Sequence, residues 1–140
     1  MGVDPEGRGV QDALFLARCG ASVIATDIKS TGSVLEGAAL LEGVHNISLV
    51  LGEHRMQDFT DADMVIRAAS APLDSPYLKA AHEHGVRIET DETLFLSLAP
   101  DVVFIGITGT RGKTTTTYLI HDIVRRAYGD AHAHIAGNVR

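Results

Sequence analysis

At 140 residues the chain is long enough for one ordinary domain, or for a small domain with part of another. With 45% hydrophobic and 21% charged residues it can bury a core, yet no apolar stretch approaches the ~20 residues of a membrane span, and Met1-Gly2-Val3-Asp4-Pro5-Glu6 has neither the basic start nor the apolar run of a signal peptide, so a cytoplasmic location follows by default. The net charge of −6, with 12 basic residues scattered among 18 acidic ones, excludes a general nucleic-acid surface, and a single cysteine, Cys19, excludes an internal disulfide.

The chain opens on a loop, Gly2 to Gly9, followed by apolar residues at 10, 13, 14 and 17, the spacing of a helix. Gly20 closes that helix, and Cys19 beside it is expected to be a packed, inert thiol. Ser22 to Thr26 reads as a strand ending in Asp27, an acidic residue placed where nucleotide-binding α/β folds meet a ligand hydroxyl. A loop–helix–strand–Asp unit of this kind needs a buried strand in front of its loop. None stands there, which predicts a chain truncated at its start. The loop departs from G-x-G-x-x-G because Asp4 holds the middle position, where a carboxylate would repel a pyrophosphate. A nucleotide contact and a plain capping loop both remain open for it.

Val34 to Leu41 continues as a short helix, Asn46 to Gly52 as a strand, and Asp58 to Asp63 as an acidic turn. Met64 to Ala68 is a short apolar strand, stopped by a loop with prolines at 72 and 76. Ser75 is a candidate N-cap with Pro76 as the first helical residue, and that helix runs to about Gly85. Val86 to Glu89 is the next strand, and Asp91 to Leu96 begins a helix before Pro100. Strands alternating with helices at this spacing predict a Rossmann-like parallel sheet covered on both faces, with ligands at the carboxyl ends of the strands.

An apolar run from Val102 to Ile107 predicts a further strand. It feeds Thr108-Gly109-Thr110-Arg111-Gly112-Lys113-Thr114-Thr115, after which Thr114 to Arg126 has the apolar face of a helix. Strand, glycine loop and helix in this order suit phosphate binding. Glycines expose backbone N–H groups, the helix N-terminus adds partial positive charge, Lys113 can reach terminal phosphates and the Thr114 hydroxyl can ligate Mg²⁺. A standard Walker A loop has its first glycine six residues before the lysine, where this chain has Ile107; Gly109 stands four before it. Ala131 to Ala136 is expected to be another strand, with His132 and His134 pointing the same way. Like His82 and His84, that pair lacks the further ligands a zinc site needs.

Thr-Gly-Thr-x-Gly-Lys-Thr-Thr resembles the loop of the Mur ligases, ATP-dependent enzymes that add amino acids to peptidoglycan precursors, and of their folylpolyglutamate synthase relatives. The order of Ala62-Asp63-Met64-Val65-Ile66, Pro72-Leu73-Asp74-Ser75-Pro76-Tyr77-Leu78, Gly85-Val86-Arg87-Ile88 and Glu92-Thr93-Leu94-Phe95 looks like the N-terminal domain of the D-glutamate-adding branch of that family. The similarity covers essentially the whole chain from Gly2. A folylpolyglutamate synthase begins near the loop, so residues 1–99 argue against that relative. Another Mur-type ligase and a non-catalytic nucleotide-binding module are the alternatives.

The resemblance implies a UDP-substrate-binding domain over 1–99, lacking its first strand, and over 100–140 the opening of a central P-loop ATPase domain. It implies ATP and Mg²⁺ as cofactors and UDP-N-acetylmuramoyl-L-alanine and D-glutamate as substrates, with no nucleic-acid, membrane or obligate protein partner. Carried over position by position, Thr108, Gly109, Thr110, Arg111, Gly112, Lys113, Thr114 and Thr115 are ATP-binding, Lys113 is catalytic and Thr114 holds Mg²⁺. Pro5, Glu6, Asp27, Ile28, Lys29, Ser70 and Asn138 match places that hold the UDP-substrate, although this chain has Ala69-Ser70 where the family usually has Pro-Gly. Required parts of the ligase are absent from these 140 residues, so the chain alone is expected to be an incomplete, inactive piece.

Overall fold

The computed structural model describes residues 2–3, 8–68, 70–99 and 101–136. The chain forms two compact units, Met1–Leu98 and Ala99–Arg140.

The first unit is a mixed α/β structure built from α1 (Gly9–Arg18), β1 (Val23–Asp27), α2 (Ser33–Leu41), β2 (Ile47–Leu51), α3 (Gln57–Thr60), β3 (Met64–Ile66), α4 (Pro76–Glu83), β4 (Arg87–Glu89) and α5 (Asp91–Leu98). Glycines end two of its helices by the same device. After α1, Gly20 at φ +88° donates its N–H to the Ala17 carbonyl and Ala21 donates to Leu16, and after α4, Gly85 at φ +75° donates to His82 while Val86 donates to Ala81. Both are Schellman closures, in which the left-handed residue is cheap only as glycine. Ser75 does precede α4 with Pro76 at its start, but the serine hydroxyl makes no capping bond.

The strands form two parallel pairs rather than one continuous sheet. β1 pairs with β2 in a register from Val23↔Ile47 to Asp27↔Leu51, and β3 pairs with β4 from Met64↔Arg87 to Ile66↔Glu89. Each pair has its own core. Val10, Ala13, Ala25, Val34, Ala38 and Leu41 close over β1 and β2 together with Val3, and Phe59, Val65, Leu78, Ala81 and Val86 close over β3 and β4. Asn46 locks the first of these. Its side-chain amide donates to the carbonyls of Ala17 (2.9 Å) and Ala21 (2.7 Å), and its own carbonyl accepts from Val23 (2.8 Å), so the end of α1 and the start of β1 are held by one residue.

In the second unit the longest element is α6 (Lys113–Tyr128), followed by a 3₁₀ turn at Asp130–His132. Here two expectations fail. Val102 to Ile107 is not a strand, because no other strand lies among the described residues of this unit and a ladder needs a partner; Val103 is 90% exposed. Ala131 to Ala136 is not a strand either, since its first residues coil into the 3₁₀ turn, so nothing aligns His132 with His134. Cys19 is a third correction. It caps the end of α1 and is exposed rather than packed.

Candidate functional site

The glycine loop delivers its groups at the start of α6. Gly112 is the N-cap in the left-handed region at φ 80°, and Gly109 has φ 148°. No side chain caps the helix, and its first backbone bond runs from Thr116 N–H to the Gly112 carbonyl. The amides of Lys113, Thr114 and Thr115 therefore precede the intrahelical ladder at the positive end of a 16-residue helix. The Lys113 ammonium folds back to donate to the Gly109 carbonyl, which brings the charge over the loop. Thr108, Gly109, Thr110, Arg111, Gly112, Lys113, Thr114 and Thr115 are all exposed. Open amides, an ammonium and adjacent hydroxyls make a donor set suited to phosphate oxygens, and the Thr114 hydroxyl suits one position of a Mg²⁺ shell completed by phosphate and water.

In the first unit the carboxyl ends of β1 and β3 meet at Gly2 and Val3. Gly2 N–H donates to the Thr26 carbonyl at 3.4 Å, Val3 N–H donates to Asp27 Oδ2 at 3.0 Å, and a Cβ on Gly2 would lie 3.9 Å from that of Ala68. Asp27 Oδ1 accepts from Lys29 N–H at 2.9 Å. The strand-end carboxylate thus holds Val3 and the turn after β1. Ile28 and Lys29 follow as exposed residues, and Ser70 is exposed in a turn closed by Ala71 N–H to the Ala68 carbonyl. Asp27 and Ser70 are therefore placed on converging strand ends, while Pro5, Glu6 and Asn138 lie outside the described residues.

Sequence reasoning missed two groups beside this point. Thr26 is 5% exposed, and its hydroxyl lies within hydrogen-bond distance of the Glu53 carbonyl (3.1 Å) and of His54 Nδ1 (2.8 Å), the direction of the second bond following the imidazole tautomer. Burial holds the His54 pKa below its ordinary value, and the ring packs edge-on against Phe59 and Tyr77. The second group joins α1 to α5. Arg8 bonds Asp91 at 2.7 Å and Glu92 at 2.5 Å, and burial, reinforced by the Asp91 charge, pushes Asp12 up to about 6. Glu92 is lowered to about 2, first by its hydrogen bond with Asp91 and then by Arg8. Neither group has a local pattern, because His54 and Arg8 reach their partners only through the fold.

These observations define the class, a mixed α/β chain of short parallel strand pairs compatible with a Rossmann-like domain. No family model matches the chain. Among curated proteins it is 41% identical over 140 residues to the UDP-N-acetylmuramoylalanine--D-glutamate ligase of Roseiflexus sp. (strain RS-1), a match of 100% of this chain and 29% of that protein. It is 36% identical over 131 residues to the ligase of the same name from Clostridioides difficile (strain 630), covering 94% of this chain and 28% of the relative. With that of Treponema pallidum (strain Nichols) it shares 36% identity over 117 residues, 83% of this chain and 22% of the relative. The chain resembles the Mur ligases, and within them the D-glutamate-adding enzymes, along its whole length, and it spans less than a third of the length of these relatives.

Proposed function

We propose that the chain is part of an ATP-dependent ligase of peptidoglycan synthesis that joins D-glutamate to UDP-N-acetylmuramoyl-L-alanine in the cytoplasm. The observation that carries this reading is the match of the entire chain to D-glutamate ligases, with its glycine loop set on the N-terminus of α6. In this reading residues 1–99 hold the UDP-substrate and residues 100–140 open the ATP-binding domain.

ATP supplies the phosphoryl group that converts the substrate carboxylate to an acyl phosphate, and the D-glutamate amine then displaces phosphate to form the amide. The chain's own contribution is electrostatic. Lys113, moving from the Gly109 carbonyl, and the amides of residues 113–115 stabilise charge on the transferring group. Thr114 holds Mg²⁺, Thr115 holds phosphate oxygens, and Arg111 adds positive charge at the loop rim. At the strand ends of the first unit, Asp27 with Ile28 and Lys29 and Ser70 receive the UDP-substrate, while Pro5, Glu6 and Asn138, outside the described residues, are assigned to the same substrate by the resemblance alone.

A titration of the chain with UDP-N-acetylmuramoyl-L-alanine, followed by amide NMR, tests this assignment. Shifts are expected at Asp27–Lys29 and Ser70, and loss of those shifts in Asp27→Ala. Binding that leaves these residues unmoved contradicts it. The chain alone is expected to form no amide from ATP, D-glutamate and the UDP-substrate, and turnover would refute its assignment as an incomplete part.

A further inference from the structure

We propose that His54 is a positioning residue for the UDP-substrate, which acts through the Thr26 hydroxyl to set the Asp27–Lys29 turn of one strand pair against the elements of the other. The proposal rests on the reading of Asp27, Lys29 and Ser70 as substrate positions. His54 is half-buried in the loop after β2, and that loop holds the turn after β1 at two points. Gly52 N–H is shared between the carbonyls of Asp27 (2.9 Å) and Lys29 (3.3 Å). Two residues on, His54 Nδ1 lies 2.8 Å from Thr26 Oγ1. Thr26 is the one buried polar residue among those described, so its hydroxyl needs partners inside the fold. Asp27 follows it directly, and the Asp27 carboxylate accepts from Val3 N–H at 3.0 Å and from Lys29 N–H at 2.9 Å. A shift of Thr26 therefore moves the carboxylate that the strand end presents.

The imidazole also meets the second strand pair. Its ring centroid lies 5.6 Å from that of Phe59 and 5.2 Å from that of Tyr77, with interplanar angles of 69° and 82°. These edge-to-face contacts fix the tilt of the ring as well as its distance. Phe59 is 2% exposed in the core over β3 and β4, and Tyr77 packs against that core from the start of α4, the helix that follows the Ser70 loop. Among the described residues the two strand pairs share no ladder, so side chains that touch both set their spacing. His54 is such a side chain, bonded to the end of β1 and packed on α3 and α4. Any aromatic residue could supply the packing. The bond from Nδ1 to a buried hydroxyl is what calls for histidine.

The experiment separates these two roles in the full chain. His54→Phe keeps the aromatic packing and removes Nδ1, whereas His54→Asn keeps an amide atom at the Nδ1 position, able to donate or accept, and removes the ring. Calorimetry with UDP-N-acetylmuramoyl-L-alanine is expected to show a loss of ~5-fold or more for His54→Phe and ~2-fold at most for His54→Asn. Urea midpoints are expected in the opposite order, with His54→Asn the less stable. Affinity that follows the midpoint, or wild-type affinity in His54→Phe, would overturn the proposal. Thr26→Val removes the same bond from its other side, and it gives the test a second variant should His54→Phe fail to fold. It is expected to weaken binding to a similar extent, with no further loss when the two changes are combined; additive losses would overturn the route through Thr26. Without ligand, the amide shifts of Val3 and Lys29 report the Asp27 carboxylate, and they are expected to move in His54→Phe and Thr26→Val. If the wild-type chain binds no UDP-substrate, the substrate reading fails by that result alone, and unmoved Val3 and Lys29 shifts in these variants overturn the positioning role separately.

Discussion

Replacing Asp12 by asparagine should stabilise the folded chain at neutral pH and do little in acid. Asp12 sits in the first turn of α1, half-buried against the same cavity wall as Asp91. Burial first, and the Asp91 charge second, raise its pKa from 3.8 to about 6, while Arg8 opposes the rise. A group raised on folding contributes stability that is fully present below its unfolded pKa, near 3.8, and lost as the pH climbs through about 6. Taken at face value the shift corresponds to ~3 kcal/mol, but a half-solvated carboxylate is screened, which reduces this to ~1–2 kcal/mol. The helix dipole favours a negative charge in the first turn by ~0.3–1 kcal/mol, and asparagine forfeits that. The net expectation for Asp12→Asn is a gain of ~1 kcal/mol at pH 7.5, fading towards zero at pH 3.5. Urea denaturation of both proteins across pH 3.5 to 8 reads it directly. A difference independent of pH, or a less stable variant at pH 7.5, would refute the reasoning.

Leu41 is 1% exposed in the core over β1 and β2, so Leu41→Ala should cost ~2–5 kcal/mol in chemical denaturation. Asn46→Ala removes both side-chain bonds to Ala17 and Ala21 and should cost ~1–2 kcal/mol, because the Ala21 carbonyl loses this donor while that of Ala17 keeps the Gly20 N–H. Because Cys19 is exposed, it should react with a thiol reagent in the native chain nearly as fast as after unfolding; strong native protection would contradict its placement.

The strands and most helices of the first unit were legible because the signals were local; α3 (Gln57–Thr60) was not, its residues falling partly in a stretch, Asp58 to Asp63, that reads as an acidic turn. Apolar spacing at 10, 13 and 17 and the glycines at 20 and 85 act through the chain's own next turn. Val102 to Ile107 had the same apolar signature, but a strand exists only with a neighbour, and composition says nothing of whether one is near. For the same reason four parallel strands read as one sheet, whereas the chain forms two pairs. Cys19 was misplaced because its position at a helix end was read as packing, while that end turns outward. At the candidate site, Asp27 and the loop around Lys113 stood out by residue type and order. Thr26, His54 and Arg8 did not, since their partners are 28 residues away for Thr26 and 84 for Arg8.

The central claim is that Thr108 to Thr115 is a phosphate-binding loop of a ligase. The Lys113 side chain is exposed and its ammonium bonds only the Gly109 carbonyl of its own loop among the contacts described, so Lys113→Ala should leave the urea midpoint unchanged. Titration calorimetry with Mg-ATP is the most direct measurement. The account predicts binding by the chain and a loss of ~10-fold or more in affinity for Lys113→Ala, as expected for a charge-assisted phosphate contact. Equal affinity for the two proteins, or no binding by either, would contradict it.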